Sequence, residues 1–297
     1  MSWIKTIAVN VLITFTLLGM ILLVPPITYK LLGQYISTDK YISTDKRSNL
    51  SLYDQFEWAA KHFEEFGELS TTYYDYITWR RDDYAGETIN ITDGLRRTPT
   101  HSTVNNDTVK YWFFGGSTTW GTGVSDYYTY PSMFAAEKNV EVVNFGETGY
   151  NSYQSLAYLT NHLISNNLQD LSNVHVVFYD GVNDIAHRCR SEIVGLSTGR
   201  EKQIQNRLKE VKPHIYSFAM TFAQLYNFFA SITRRLGGDG SIERQLSENL
   251  YDCSENHKRA AEVAQTLVRT WQIASDIVKS RGGKFTAILQ PVAFIGD

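Results

Sequence analysis

The chain has 297 residues, a hydrophobic fraction of 43% and a formal charge of -3, values that describe one large folded domain or two small ones and exclude pervasive disorder. No basic cluster exceeds Arg96-Arg97 or Arg234-Arg235, so no field exists to bind a phosphate backbone and nucleic acid is excluded as a partner.

The first predicted element is residues 7–24, which carry no charge. As a helix at about 1.5 Å per residue it reaches about 27 Å, close to the hydrocarbon thickness of a bilayer. Pro25-Pro26 stop it. A cleaved signal peptide is the alternative, but the run exceeds the usual apolar length and no small-x-small site follows, so residues 1–30 are expected to be an uncleaved single-pass membrane anchor. The amino terminus and Lys5 face Lys30 across it, a weak bias that puts the bulk of the chain outside the cytoplasm, in a periplasmic or extracellular space. Residues 31–51 read as a polar spacer, in which the hexapeptide at 35–40 recurs at 41–46. A period of six fits neither helix nor strand. Residues 52–108 are an aromatic-rich extension containing Trp58, Tyr73, Tyr74, Tyr76 and Trp79. Core packing is the first reading of these rings and a ligand wall the second.

From Val109 the pattern becomes regular. It predicts a strand over 109–114, a helix over 131–138, a strand over 140–143, a helix over 153–165 and a strand over 174–179. Such alternation means right-handed βαβ units around a parallel sheet. Helices are predicted over 201–236 and 255–280, separated by Gly237-Gly238-Asp239-Gly240, and a fourth strand over 284–289 precedes Pro291. The fold class expected is α/β, a flavodoxin-like three-layer sandwich with a parallel sheet, preceded by the transmembrane helix.

Three of these strands run into polar motifs: Gly116-Ser117, Gly146 to Ser152, and Asn183-Asp184. The carboxyl ends of parallel strands share one rim, where ligands bind. The first turn, Gly115-Gly116-Ser117-Thr118-Thr119-Trp120-Gly121, is no phosphate loop, because no lysine lies between Lys110 and Lys138. Gly121-Thr122-Gly123 lacks the third glycine of a dinucleotide fingerprint, and Thr119 stands where a Gly-x-Ser-x-Gly elbow needs its last glycine. A serine on a tight turn remains, and alone such a serine is more often a helix cap than a nucleophile.

Taken together, Phe114-Gly115-Gly116-Ser117-Thr118-Thr119-Trp120-Gly121, Asn144-Phe145-Gly146-Glu147-Thr148-Gly149-Tyr150-Asn151-Ser152 and Tyr179-Asp180-Gly181-Val182-Asn183-Asp184 resemble the SGNH hydrolases, also called GDSL esterases. The resemblance runs from about Val109 to the carboxyl terminus, with the family's Gly-Asp-Ser standing here as Gly115-Gly116-Ser117. It implies that Ser117 is the nucleophile and, through its backbone N–H, one oxyanion donor. Gly149 would supply a second backbone N–H and the Asn183 side chain a third donor, and no cofactor is implied. Donors fixed on a developing oxyanion are each worth about 100- to 1000-fold in rate. Glycine at 149 would let backbone approach the substrate, and Asp184 would brace its loop. A plain turn at Gly149 and a helix cap at Asn183-Asp184 are the structural alternatives.

The family's late Asp-x-x-His, its acid and base, has no counterpart, since no histidine follows His257. Asp184-Ile185-Ala186-His187 matches literally but follows the third strand. Adjacent first and third strands would bring His187 towards Ser117, yet Asp184 is committed to the Asn183 loop, so the match reads as a decoy. Residues 109–297 are therefore expected to be an incomplete hydrolase-like domain that stops after four of five strands, leaving 285–289 as an apolar sheet edge. Cys189 and Cys253 read either as one disulfide or as two buried thiols, and no Cys-x-x-Cys or His-Glu-x-x-His marks a metal site. Tyr127, Tyr128, Tyr130, Tyr150 and Tyr153 flank the motifs, and Asn90 and Asn106 open glycosylation sequons. The function expected is a membrane-anchored serine ester hydrolase acting through an acyl-enzyme on a small-molecule or polysaccharide ester, such as an O-acetyl group of envelope carbohydrate. The alternatives are a non-catalytic carbohydrate-binding or assembly module on the same fold, and an O-acyltransferase.

Overall fold

The structure, a computed structural model, describes residues 3, 6, 7, 9–11, 13, 14, 45–99, 109–189 and 253–291. The chain divides into two compact units, Met1–Tyr41 with Asn206–Ser247, and Ile42–Gln205 with Glu248–Asp297. In the first unit, the described residues between 3 and 14 are helical, with Trp3, Ile7, Val9, Val11 and Ile13 exposed. No described helix is long and apolar enough to cross a membrane. Residues 15–44 and 190–252 lie outside the described residues, and with them most of the expected anchor, the first hexapeptide, the predicted 201–236 helix and its glycine run.

In the second unit two short 3-10 turns, Lys46–Asn49 and Ser51–Tyr53, precede helix α1 (Ala59–Glu68) and the antiparallel hairpin β1 (Thr71–Tyr74) and β2 (Thr78–Arg81). Strands β3 (Tyr84–Ala85), β4 (Asn90–Thr92) and β5 (Leu95–Arg96) follow, then β6 (Lys110–Gly115), helix α2 (Ser117–Trp120), α3 (Tyr130–Lys138), β7 (Val142–Asn144), α4 (Ser152–Ser165), β8 (Val174–Asp180), α5 (Val182–Arg188), α6 (His257–Lys279) and β9 (Lys284–Leu289). One seven-stranded sheet has the order β3-β4-β5-β7-β6-β8-β9. Its last four strands are parallel, with the first and third predicted strands adjacent from Lys110↔Val174 to Gly115↔Tyr179. The four strands expected from hydrophobic runs are these four.

Strand side chains alternate between faces, and the alternation sorts the core into two layers. Trp112, Phe114, Val176 and Phe178 pack with Leu159 and Leu163 of α4 and Ala274 and Val278 of α6. On the other face Phe113, Val177 and Val142 pack with Ala135 of α3. Because both faces of β6 are covered, its sequence is an unbroken apolar run rather than an alternating one. The rings of Phe114 and Phe145 stack with centroids 4.5 Å apart. In α6 the buried residues Val263, Leu267, Thr270, Ala274 and Val278 recur at helical spacing and leave the opposite face to solvent. Helix α4 starts at a capping box, in which Asn151 accepts from the Gln154 N–H and the Gln154 side chain accepts from the Asn151 N–H.

Residues 84–96 add three antiparallel strands to the sheet, since β5 pairs with β7 through Arg96↔Asn144. Cys189 and Cys253 form a disulfide, with Cα atoms 5.2 Å apart, joining the end of α5 to the turn before α6.

Candidate active site

Strand β6 delivers Ser117 to the carboxyl rim as the first residue of α2, where it is half-buried. The turn behind it is fixed by Arg96, whose side chain is fully buried. Its guanidinium donates to the carbonyls of Trp120 at 3.1 Å, Gly121 at 2.6 Å and Val124 at 2.6 Å, and to the Asp126 carboxylate at 2.9 Å. Five guanidinium hydrogens in a rigid fork allow one side chain to hold three carbonyls and an anion together. Asn144, the last residue of β7, ties this turn to the next loop by donating to the Thr119 carbonyl at 2.9 Å and accepting from the Gly146 N–H at 3.0 Å.

Gly149 sits in the loop after β7 with φ +82°. Its requirement is conformational: a side chain would be strained at that angle, whereas the space beside it is open enough that a Cβ would make ordinary contact with Trp79 Cζ2 at 3.5 Å. The tight contact within the chain lies at Gly116, where a Cβ would stand 2.4 Å from the Asn183 Nδ2. The backbone N–H groups of Ser117 and Gly149 have no hydrogen-bond partner among the described residues.

Asn183 lies in the first turn of α5. Its Nδ2 donates to the Tyr150 carbonyl at 2.7 Å and rests against Gly116. Its amide therefore touches the residue before Ser117 and the residue after Gly149, so the three predicted site residues gather at one rim. One of the two amide hydrogens serves Tyr150 and the other remains to be donated. Asp184 is fully buried and braces this loop: it accepts from the Ser152 N–H at 3.0 Å, the Ser152 hydroxyl at 2.6 Å and Arg188 Nη1 at 3.0 Å. Asp180, at the end of β8, accepts from the Ser155 hydroxyl at 3.1 Å, while its second oxygen has no partner among the described residues. The Trp271 indole N–H lies close to Asp180 without reaching hydrogen-bond geometry. Burial, and then the neighbouring Asp184 charge, push Asp180 well above its ordinary value. Burial also raises Asp184, but its Ser152 bonds and the Arg188 charge oppose the rise.

No described histidine hydrogen-bonds Ser117. His62 faces Thr88 and sits in an aromatic nest, His162 contacts Asn166, and His175 contacts Thr286. His187 is half-buried in the last turn of α5, a helix whose Asp184 is already engaged with Ser152 and Arg188. Tyr150 belongs to the core, with its hydroxyl on the Trp79 carbonyl, whereas Tyr127, Tyr128 and Tyr153 are exposed. The Asn90 amide of the first sequon donates to Asp126 at 3.0 Å. Among the described residues no cluster of acidic, histidine or cysteine side chains could hold a metal ion.

Arg96 lies outside every motif, and Asn144 and Glu147 lie within the second one without a role assigned to them. The available signal was a polar residue ending an apolar strand, as Asn144 does, and charged residues among aromatics in a segment otherwise rich in packing rings.

No protein-family model matches the chain, and no curated protein matches it. Among solved structures it is similar to an acylhydrolase candidate from Bacteroides fragilis, at 21% identity and a TM-score of 0.22, over 37% of this chain and 45% of that one. It is also similar to a G-D-S-L family lipolytic protein candidate from Desulfitobacterium hafniense, at 16% identity and a TM-score of 0.24, over 43% of this chain and 73% of that one. A third likeness is to an alpha/beta hydrolase from the Lake Arreo metagenome, at 16% identity and a TM-score of 0.22, over 59% of this chain and 95% of that one. At such identities and TM-scores the likeness decides nothing about activity.

Proposed function

We propose that this protein is a membrane-anchored serine ester hydrolase that cleaves carboxylic esters through an acyl-enzyme on Ser117, with O-acetyl groups of envelope carbohydrate as its substrate class. The observation that carries this reading is the Asn183 amide, which lies against Gly116 and bonds the Tyr150 carbonyl. A serine at a strand end, a backbone N–H at Gly149 and a side-chain amide thereby share one rim. In the reaction the Ser117 Oγ attacks the ester carbonyl. The N–H groups of Ser117 and Gly149, together with the Asn183 amide, receive the negative charge that develops on the carbonyl oxygen, the alkoxide leaves with a proton, and water then cleaves the acyl-enzyme. A general base must take the Ser117 proton and return it to the leaving alkoxide, and the bonds of His62, His162 and His175 go to Thr88, Asn166 and Thr286 rather than to Ser117. Tyr127, Tyr128 and Tyr153 flank the motifs in sequence and are exposed, Tyr128 also stacking on Trp58, and a sugar-bearing substrate is the class that would bury area against such rings. The uncharged stretch at 7–24 supports the anchor, and the amino terminus and Lys5 opposite Lys30 are the weak ground for a domain outside the cytoplasm.

Acetate release from an O-acetylated polysaccharide is the test. The reading expects release by the wild type and none by Ser117→Ala. Diversion of the acetyl group to an added sugar acceptor would make the enzyme a transferase. Polysaccharide binding without release, and unchanged by Ser117→Ala, would make it a binding module.

A further inference from the structure

Strand β2 grips the loop that carries Gly149. Trp79 Nε1 donates to the Thr148 carbonyl at 3.3 Å, and the Tyr150 hydroxyl returns a bond to the Trp79 carbonyl. Two residues along the strand, Arg81 faces Glu147 in a nearly buried ion pair at 3.2 Å. The Glu147 carboxylate also accepts from the Arg81 N–H at 3.1 Å, the Thr148 N–H at 2.7 Å and the Thr148 hydroxyl at 2.8 Å, and Arg81 Nη2 donates to the same hydroxyl at 2.7 Å. Further along, Gln154 Nε2 donates to the Ile77 carbonyl at 3.1 Å and to the Thr78 hydroxyl at 2.9 Å. None of these bonds joins β2 to the parallel sheet. They join it to residues 147–154, the loop and the first turn of α4.

The direction of one of these bonds matters most. The Thr148 carbonyl and the Gly149 N–H belong to a single trans peptide unit, in which the two groups point in opposite directions. A donor that fixes the carbonyl therefore fixes the heading of the N–H. At φ +82° Gly149 has torsional freedom that other residues lack, so its peptide plane needs an external restraint to hold one orientation. Trp79 supplies that restraint from the carbonyl side, and the Arg81–Glu147 pair fixes the two preceding residues.

We infer that Trp79 and Arg81 are positioning residues, which aim the Gly149 N–H at the reacting carbonyl by clamping the Thr148 peptide. The inference rests on the hydrolase reading for its catalytic consequence, though the clamp itself does not depend on turnover.

The cleanest variant is Trp79→Phe, which keeps a ring beside Gly149 and removes the donor. Arg81→Lys keeps the charge and removes the fork, and it carries the same test if Trp79→Phe fails to fold. Amide hydrogen exchange is read at residues 147–150, where the N–H groups of Glu147, Thr148 and Tyr150 are bonded, and at 174–180 in the full chain. The clamp predicts exchange about tenfold faster at 147–150 with no change at 174–180. Unchanged exchange at 147–150, or a rise shared equally by 174–180, overturns it. Steady-state hydrolysis of an aryl acetate is measured alongside, where the variants should lower kcat about tenfold with KM within about twofold. A variant with faster exchange at 147–150 and unaltered kcat overturns the positioning role. Absence of Ser117-dependent turnover in the wild type overturns the hydrolase reading instead, and the exchange result then still decides the clamp.

Discussion

Asn183 contributes in two ways, both through the one side-chain amide. Its amide holds the Tyr150 carbonyl in the resting protein and, in the mechanism above, donates to an oxyanion that exists only in the transition state. Asn183→Ala should therefore lower kcat about 100-fold while leaving KM nearly unchanged, read by steady-state kinetics. An equal rise in KM would mean that it serves binding alone. The paired carboxyls below it differ in kind. Burial favours the neutral form of Asp180, so Asp180→Asn, its uncharged isostere, should cost less in unfolding free energy than the corresponding change at Asp184. Asp184 faces the buried Arg188, and Asp184→Asn leaves that cation without its partner, at a cost of about 3 to 5 kcal/mol in chemical denaturation. His62 gives a pH signature. Burial lowers it from 6.5 to about 3, with Arg96 and Arg47 lowering it and Glu65 and Asp45 opposing. The unfolded chain thus takes the proton first, so its contribution to stability is full above about pH 6.5 and is lost as pH falls towards 3. Denaturant midpoints of wild type and His62→Phe should differ in slope across that window, and parallel curves would refute the assignment.

At the scale of elements, what was legible in the sequence follows from how each element is stabilised. Strands β6 and β8 are largely buried along six and seven residues, so burial writes itself into an apolar run, whereas β9 carries an apolar run although its residues are exposed or half-buried. Strands β3 and β5 are two residues long. They exist because β5 finds Asn144 of β7, a tertiary contact that leaves no local period. The places of Ser117 and Asn183 could be read for the same reason as the long strands, since each lies two or three residues past the end of β6 or β8, whereas Gly149 lies five past the three-residue β7. The supports of these residues could not be read, because Arg81 and Arg96 reach the site loops across 66 and 30 residues of sequence to Glu147 and Asp126. Helix α5, which carries Asn183, is pinned at its far end by the Cys189–Cys253 bond and by Arg259 Nε on the Arg188 carbonyl at 2.9 Å. The disulfide closes a separation of 64 residues, for which chain entropy gives about 4 kcal/mol. Replacing both cysteines with serine should cost about that much in thermal or denaturant unfolding.

For the whole molecule, β9 is the outermost described strand on its side of the sheet, and it carries exposed Ile288 and Leu289. An apolar edge with unpaired backbone groups recruits other strands, and a charge placed on it prevents this. Ile288→Lys should reduce concentration-dependent self-association in sedimentation velocity, whereas unchanged association would locate the contact elsewhere. The account as a whole turns on Ser117 being an activated nucleophile at the rim where Gly149 and Asn183 gather. Covalent labelling by a fluorophosphonate, mapped by peptide mass spectrometry with Ser117→Ala as the control, measures this directly. The account predicts one modified residue, Ser117, and no labelling of the variant. Equal labelling of the variant, or an unmodified Ser117 in protein whose fold is intact, would contradict it.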